Sequence, residues 1–168
     1  MERLTVHARA TVVADADLRG DITIGSGTVV HPRCKIDATL APIRLGDNCL
    51  VEEGAELVSG AAGMAIGDGN LFRAGCRVSA REVGNCNVFE PRCVVDGGVC
   101  VASFCTVGAR CQVRGDAALP ERTVVWGAHA ARRTWSGEGV AQRLALHAKQ
   151  LQYLRDTLPH AHKLRVIR

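Results

Sequence analysis

Cysteine and histidine are the residue types in this chain that could ligate a metal ion or act as nucleophiles. The 168 residues include eight cysteines and six histidines, and His31 and Cys34 lie close together in the sequence. Imidazole and thiolate groups are the usual ligands of zinc in proteins. No Cys-x-x-Cys pair occurs, however, and that pair is typical of zinc and redox sites. The spacing therefore does not favour a cysteine-based metal site.

A repeat of aliphatic residues every six positions is the strongest pattern in the chain. The series runs from Val6 to Ile36, from Leu45 to Leu57, from Ile66 to Val78 and from Val83 to Val125. Neither an amphipathic helix nor an ordinary strand has a period of six. The period predicts an all-β solenoid of hexapeptide repeats, in which three short strands form one triangular coil and coils stack about 4.8 Å apart. The two interruptions, residues 37–44 and 58–65, are expected to leave the stack as surface loops at one edge.

The repeat also explains most of the cysteines. The fourth residue after each repeat aliphatic is expected to be small and to point inward. Six cysteines occupy this position: Cys34, Cys49, Cys76, Cys93, Cys105 and Cys111. Because buried free cysteine behaves as a small hydrophobic residue, we expect these six to be core residues. Cys86 and Cys100 fall outside the position and are expected to be more accessible.

After Trp135 the apolar spacing changes from that of a solenoid to that of an amphipathic helix. A stripe with alternating spacings of four and three is formed by Val140, Leu144, His147, Leu151, Leu154 and Leu158. Pro159 is expected to end this helix, and His147 is interpreted as a packed residue rather than a ligand. We therefore predict a hexapeptide-repeat β-helix over residues 1–135. Residues 136–168 form a C-terminal amphipathic helix and basic tail packed on or near the solenoid.

Charge and hydropathy indicate a cytosolic protein that does not bind nucleic acid. The net charge of +4 is concentrated in residues 132–168, where eight Lys/Arg residues oppose two acidic ones. These positive charges are scattered and aromatic residues are few, which disfavours a nucleic-acid surface. The charged N-terminal segment and the lack of a long apolar run favour the cytosol, where cysteines stay reduced. Two Arg-Gly-Asp tripeptides, at 19–21 and 114–116, are then interpreted as turn residues rather than adhesion motifs.

Several segments resemble a known family of hexapeptide-repeat proteins. "RGDITIGSGTVVHPRCKI" and "APIRLGDNCLVEEGAEL" are similar to the gamma-class carbonic anhydrase superfamily, and the ending "LRDTLPHAHKL" resembles the dynactin subunit 6 family within it. The resemblance implies a left-handed parallel β-helix without enzymatic activity, located in the cytoplasm with the cytoskeleton. It also implies a place in the pointed-end complex of dynactin, which supports dynein-driven transport along microtubules. The implied partners are the paralogous β-helix subunit (dynactin subunit 5) and other pointed-end subunits, including an actin-related protein, with no cofactor.

Two enzymatic alternatives remain open within the same superfamily. A gamma-class carbonic anhydrase holds zinc with three imidazoles, and the resemblance places Glu53, Val58 and Asp37 at those positions. Valine cannot ligate a metal, so no metal-binding or catalytic residue is predicted. The second alternative is a hexapeptide acyltransferase, which uses a histidine as general base at a subunit interface.

If the chain functions by binding, its contact surface should be formed by apolar residues that point out of the solenoid. Alternation along the second strand of each coil turns Val29, Leu50, Leu71 and Val88 outward; we call these four residues the apolar ladder. We expect the helix 140–158 or a partner subunit to cover it. By contrast, the third strands carry outward charges, and the first strands carry glycines over which a helix could lie closely. Residues 126–139 are expected to close the C-terminal end, whereas the first coil, residues 6–17, has no evident cover.

Overall fold

A computed structural model describes residues 2–115 and 118–166, so Asp116 of the second Arg-Gly-Asp lies outside the described residues. They form a parallel β-helix of nineteen strands followed by one helix. The strands of the first part are β1 Arg3–Val6, β2 Thr11–Val12, β3 Asp17–Ile24, β4 Val29–Val30, β5 Lys35–Leu45, β6 Leu50–Val51, β7 Glu56–Val58, β8 Met64–Ile66, β9 Leu71–Phe72 and β10 Arg77–Val78. The remaining elements are β11 Glu82–Val83, β12 Val88–Phe89, β13 Val94–Val95, β14 Cys100–Val101, β15 Thr106–Val107, β16 Gln112–Val113, β17 Ala118–Leu119, β18 Thr123–Trp126, β19 Ala131–Thr134 and the helix α1 Val140–Ala161.

The repeat aliphatics stack in register, which confirms the predicted solenoid. Each strand pairs in parallel with its equivalent in the next coil, except that β19 pairs antiparallel with β18. On the second face of the coils the stacked residues are Val12, Val30, Val51, Phe72, Phe89, Val107 and Val125. All seven are buried, and the rings of Phe72 and Phe89 stack with centroids 4.9 Å apart. The six-residue period therefore defines one continuous core.

Polar side chains and glycines hold the coils together at the corner between the first and second strands. The Asp47 carboxylate accepts a hydrogen bond from the Ser26 main-chain N–H at 2.7 Å, and Asp68 accepts one from the Asp47 N–H at 2.7 Å. Between them, Gly46 approaches the next coil so closely that an added Cβ would lie 2.4 Å from the Gly67 carbonyl oxygen. The glycines of the first strands are thus needed for coil stacking. The helix does not pack on these glycines. It packs on the second face instead.

The first interruption of the repeat is not a surface loop, contrary to expectation. Residues 37–44 lie within β5, which runs unbroken from Lys35 to Leu45 and pairs with β3 through a register shift between Gly20 and Ile22. Ala38 and Ile43 are buried at either end of the extra segment. The additional residues therefore lie between them, and Leu40 in this part of the strand is exposed. The second interruption does form a turn, between the end of β7 at Val58 and the start of β8 at Met64.

The six cysteines predicted to be core residues are all buried, while Cys86 and Cys100 are partly exposed. Burial raises the pKa of the Cys34 and Cys49 thiols to about 12. A hydrogen bond with the Cys93 thiol, together with burial, raises the pKa of Cys76. Since the thiolate is the reactive form, burial and the raised pKa values make Cys34, Cys49 and Cys76 unreactive at neutral pH.

Thiol labelling tests this assignment. We expect a soluble maleimide to modify about two cysteines in the folded protein and all eight after denaturation, because only Cys86 and Cys100 are reachable in the fold. The double variant Cys86→Ser/Cys100→Ser should label hardly at all before denaturation. Rapid modification of this variant in its folded form would show that the six core assignments are wrong.

The C-terminal segment differs from expectation in two ways. Pro159 lies inside α1, which continues to Ala161, so the prediction that Pro159 ends the helix is wrong. The missing N–H forfeits one hydrogen bond near the helix end, and the buried Leu158 side chain holds this turn against the solenoid. After the helix, Leu164 forms an antiparallel bridge with Val13, and the Arg165 N–H donates to the Val12 carbonyl at 2.8 Å. The chain's own tail therefore covers the first coil along its second strand, at Val12 and Val13.

Candidate interaction surface

The apolar ladder stacks as one column on the second face, but its four members differ in burial. Val29, Leu50, Leu71 and Val88 are successive register partners. Val29 and Leu50 are fully buried, whereas Leu71 and Val88 are partly exposed. We call Val29 and Leu50 the lower half of the ladder, which is covered, and Leu71 and Val88 the upper half, which is accessible.

Helix α1 covers the lower half of the ladder. Leu151 and Leu158 are buried in one hydrophobic cluster with Val13, Val29 and Leu50, and Leu71 packs at its margin. This cluster is separate from the core inside the coils. Burial of each leucine side chain contributes roughly 1.5–3 kcal/mol, so these contacts favour docking of the helix on the solenoid.

Three basic side chains of α1 bind carbonyl oxygens along one corner of the solenoid. Arg155 donates to the Gly27 carbonyl from Nε at 3.1 Å and from Nη2 at 2.9 Å. His147 Nε2 lies 2.7 Å from the Asn48 carbonyl oxygen, and Arg143 Nη2 donates to the Cys86 carbonyl at 3.1 Å. A carbonyl can only accept, so His147 carries its proton on Nε2 in this contact.

The sequence did not predict these three contacts, because each acceptor is a main-chain carbonyl at a corner of the solenoid. Gly27, Asn48 and Cys86 have φ values of 70°, 52° and 55°. Each of these corner residues presents its carbonyl to the helix. The signal in the sequence was the spacing of Arg143, His147 and Arg155, which repeats in multiples of four along one side of the apolar stripe.

The N-terminal half of α1 stands off the upper ladder and leaves an open groove. Its volume is about 290 Å³, and its floor includes Leu71 and Val88. The helix wall includes Leu144 and Leu146, whose side chains are 40% and 68% exposed. Arg143 also lines the groove and lies over the Trp135 ring at 5.1 Å, and burial lowers the pKa of its guanidinium. The groove is therefore an apolar cleft with charged residues in its wall.

Charged residues border the ladder on its other side. The Arg73 guanidinium lies 3.8 Å from the Glu52 carboxylate and 3.7 Å from that of Glu90. Below them, burial lowers the pKa of His31, and the Glu52 charge opposes this shift. These groups form a polar border beside the ladder, which gives the groove a defined edge.

The positions that correspond to zinc ligands in the gamma-class enzymes have other contacts. Glu53 is exposed and pairs with Arg33, while Val58 lies in β7 as the register partner of Asp37. Hydrogen bonds from Thr39 hold the pKa of Asp37 below its usual value. Within residues 2–115 and 118–166, no three His, Cys, Asp or Glu side chains are placed to hold one metal ion.

The outward charges of the third strands form ion pairs between and within coils. Arg77 lies 3.3 Å from Glu56, Arg114 lies 3.4 Å from Asp96, and Arg19 lies 2.8 Å from Asp17. This face is thus charged, as predicted, and exposed pairs of this kind contribute little to stability. In the part of the chain that the structure describes, no helix has the length and apolarity needed to cross a membrane.

Comparison with known proteins identifies close relatives over nearly the whole chain. The chain is 35% identical to dynactin subunit 6 of Danio rerio, over 95% of this chain and 86% of that protein. It is 32% identical to dynactin subunit 6 of Nematostella vectensis, over 97% and 92% of the two chains. Among solved structures, a hexapeptide transferase family protein from Anaplasma phagocytophilum superposes with a TM-score of 0.84, at 15% identity, over 92% of this chain and 93% of the other. No protein-family model matches the chain.

Proposed function

The chain belongs to the dynactin subunit 6 family, and we propose that it is a non-enzymatic structural subunit of the dynactin pointed-end complex. In this role it supports dynein-driven transport along microtubules in the cytoplasm. The observation that carries the proposal is the 35% identity to a dynactin subunit 6 over 95% of this chain. The similarity to a hexapeptide transferase, at 15% identity, supports the fold alone.

The absence of enzymatic activity is part of the proposal. The Val58 side chain has no atom that can ligate a metal, and Glu53 forms an ion pair with Arg33. A zinc-bound water needs three protein ligands that leave one coordination position open. We expect neither stoichiometric zinc nor hydration of carbon dioxide above background in the purified protein. Acetyl transfer from acetyl-coenzyme A would equally contradict the proposal, in favour of the acyltransferase alternative.

We assign partner binding to the upper half of the apolar ladder. Leu71 and Val88 form the floor of the groove, and Leu144 and Leu146 extend its apolar surface onto α1. A contiguous exposed apolar patch with a polar border is typical of a protein interface. The proposed occupant is the paralogous β-helix subunit, dynactin subunit 5, with the actin-related protein bound through the assembled complex.

Binding of the two purified β-helix subunits tests this assignment. We expect the wild-type chain to bind the paralogous subunit from the same organism, and Leu71→Asp to weaken binding about tenfold or more because it places a charge in an apolar contact. The melting temperature of Leu71→Asp should stay close to that of the wild type, since Leu71 is partly exposed.

A matched control separates the surface from a general effect of charge. Leu40→Asp introduces the same group at a residue that is 73% exposed and lies on the segment between Ala38 and Ile43. This variant should bind the paralogue normally. If Leu71→Asp also binds normally, the assigned face is wrong, and if the wild-type chain does not bind, the proposed partner is wrong.

A further inference from the structure

The last strand of the second face is β19, and no strand of residues 2–115 or 118–166 pairs with its outer edge. In the eight-stranded sheet, β19 lies at one end and β2 at the other. The β2 end is closed by the tail, where Leu164 bridges to Val13. At the β19 end, all four residues Ala131–Thr134 are exposed, and β18 is the strand that pairs with them.

The register of β18 and β19 fixes which main-chain groups face outward. The Trp135 N–H donates to the Arg122 carbonyl at 2.7 Å, so residues 133 and 131 also exchange hydrogen bonds with β18. The alternation then directs the N–H and C=O groups of Arg132 and Thr134 away from β18. Such a row of unsatisfied main-chain groups is a template for an added strand.

The charge around this edge is positive. Residues 107–135 contain five arginines and two acidic residues. Arg132 and Arg133 are exposed on opposite sides of β19, and neither forms an ion pair with a carboxylate of residues 2–115 or 118–166. Pairing of β19 with the same strand of a second copy would bring these arginines together, which is unfavourable.

We propose that the outer edge of β19 binds an extended acidic segment of a partner protein as an added β-strand. Main-chain hydrogen bonds to Arg132 and Thr134 hold the segment, and carboxylates on its two faces pair with Arg132 and Arg133. Trp126, which is 54% exposed and is the register partner of Ala131, provides an apolar contact on the side of β19 that carries Arg133. This site is distinct from the groove over Leu71 and Val88, and it does not depend on the identity of the partner proposed there.

Tryptophan fluorescence of the protein can be used to measure binding of a peptide at the β19 edge. The chain contains two tryptophans, Trp126 and Trp135, and both flank β19. We propose titrating the full chain with a short capped peptide in which pairs of Glu alternate with pairs of Val, so that both faces of the added strand carry carboxylates, and with a matched peptide that has Lys in place of Glu. The acidic peptide should change the tryptophan emission saturably at up to millimolar concentration, and the basic peptide should not. Equal responses to both peptides, or none to either, would overturn the proposal.

Three variants separate strand addition from simple charge attraction. Thr134→Pro removes an outward N–H without breaking the pairing to β18, and should abolish the response, whereas Thr134→Ala should retain it. The double variant Arg132→Glu/Arg133→Glu should bind the acidic peptide about fivefold or more weakly and prefer the basic one. If Thr134→Pro binds like the wild type, or if the wild type forms a dimer that Thr134→Pro abolishes, strand addition by an acidic partner is wrong.

Discussion

Leu50→Asp is expected to lower the free energy of unfolding by about 3–5 kcal/mol, because it buries a charge without a partner. Leu50 is fully buried between the second face and α1, in the cluster with Leu151 and Leu158. Neither of these leucines can solvate a carboxylate. The variant should therefore release α1 from the solenoid before the coils themselves unfold. The measurement is denaturant unfolding combined with limited proteolysis by trypsin.

Trypsin is suited to this test because Arg143, Lys149 and Arg155 lie within α1. In the wild type these sites are held in a helix, and Arg143 and Arg155 also bind corner carbonyls. We expect cleavage within α1 to be much faster in Leu50→Asp and unchanged in the exposed control Leu40→Asp. If Leu50→Asp melts and resists trypsin like the wild type, α1 does not cover this part of the ladder.

Gly46→Ala is expected to cost about 1–3 kcal/mol or more, although it adds a single methyl group at the surface. The added Cβ would lie 2.4 Å from the Asp68 carboxylate oxygen and 2.4 Å from the Gly67 carbonyl oxygen. The carboxylate could move only by giving up its hydrogen bond from the Asp47 N–H. The carbonyl belongs to the main chain of the next coil, so relief requires the two coils to separate.

Gly60→Ala is the matched control for this variant. A Cβ at Gly60 meets no atom of residues 2–115 or 118–166 within 4 Å beyond its two chain neighbours, so the free energy of unfolding should stay within about 0.5 kcal/mol of the wild type. Denaturant unfolding of both variants gives the comparison. Equal stability of Gly46→Ala and Gly60→Ala would show that the coils are not packed as closely at this corner as the structure indicates.

The core of the solenoid could be predicted from the sequence because its period is short and each position has one role. A repeat of six places Val30, Val51 and Phe72 at equivalent points of successive coils, and all three are buried in register. The same logic identified the inward cysteines. Strand alternation also turned Val29 and Leu50 to the outside of the coils, where the structure places them.

The position of the helix and tail could not be predicted in the same way. The contacts that fix α1 use main-chain carbonyls, such as those of Gly27 and Asn48, which carry no side-chain signature in a sequence. The tail likewise packs on the first coil through main-chain hydrogen bonds, from the Arg165 N–H to the Val12 carbonyl and from the Ala14 N–H to the Lys163 carbonyl. The glycines of the first strands suggested a surface on which a helix could pack closely. A glycine is needed both where the next coil approaches closely and where a helix does, so the residue type does not distinguish the two cases.

Membership of the pointed-end complex is tested most directly by the sedimentation of the chain in lysate of its own organism. The chain should be tagged and expressed at its natural level, and the gradient fractions probed for the paralogous dynactin subunit 5 and the actin-related protein. We predict that the chain sediments with both proteins at the size of the whole dynactin complex. Sedimentation of the chain at its own monomer size, while those two proteins sediment together without it, would contradict the proposed function.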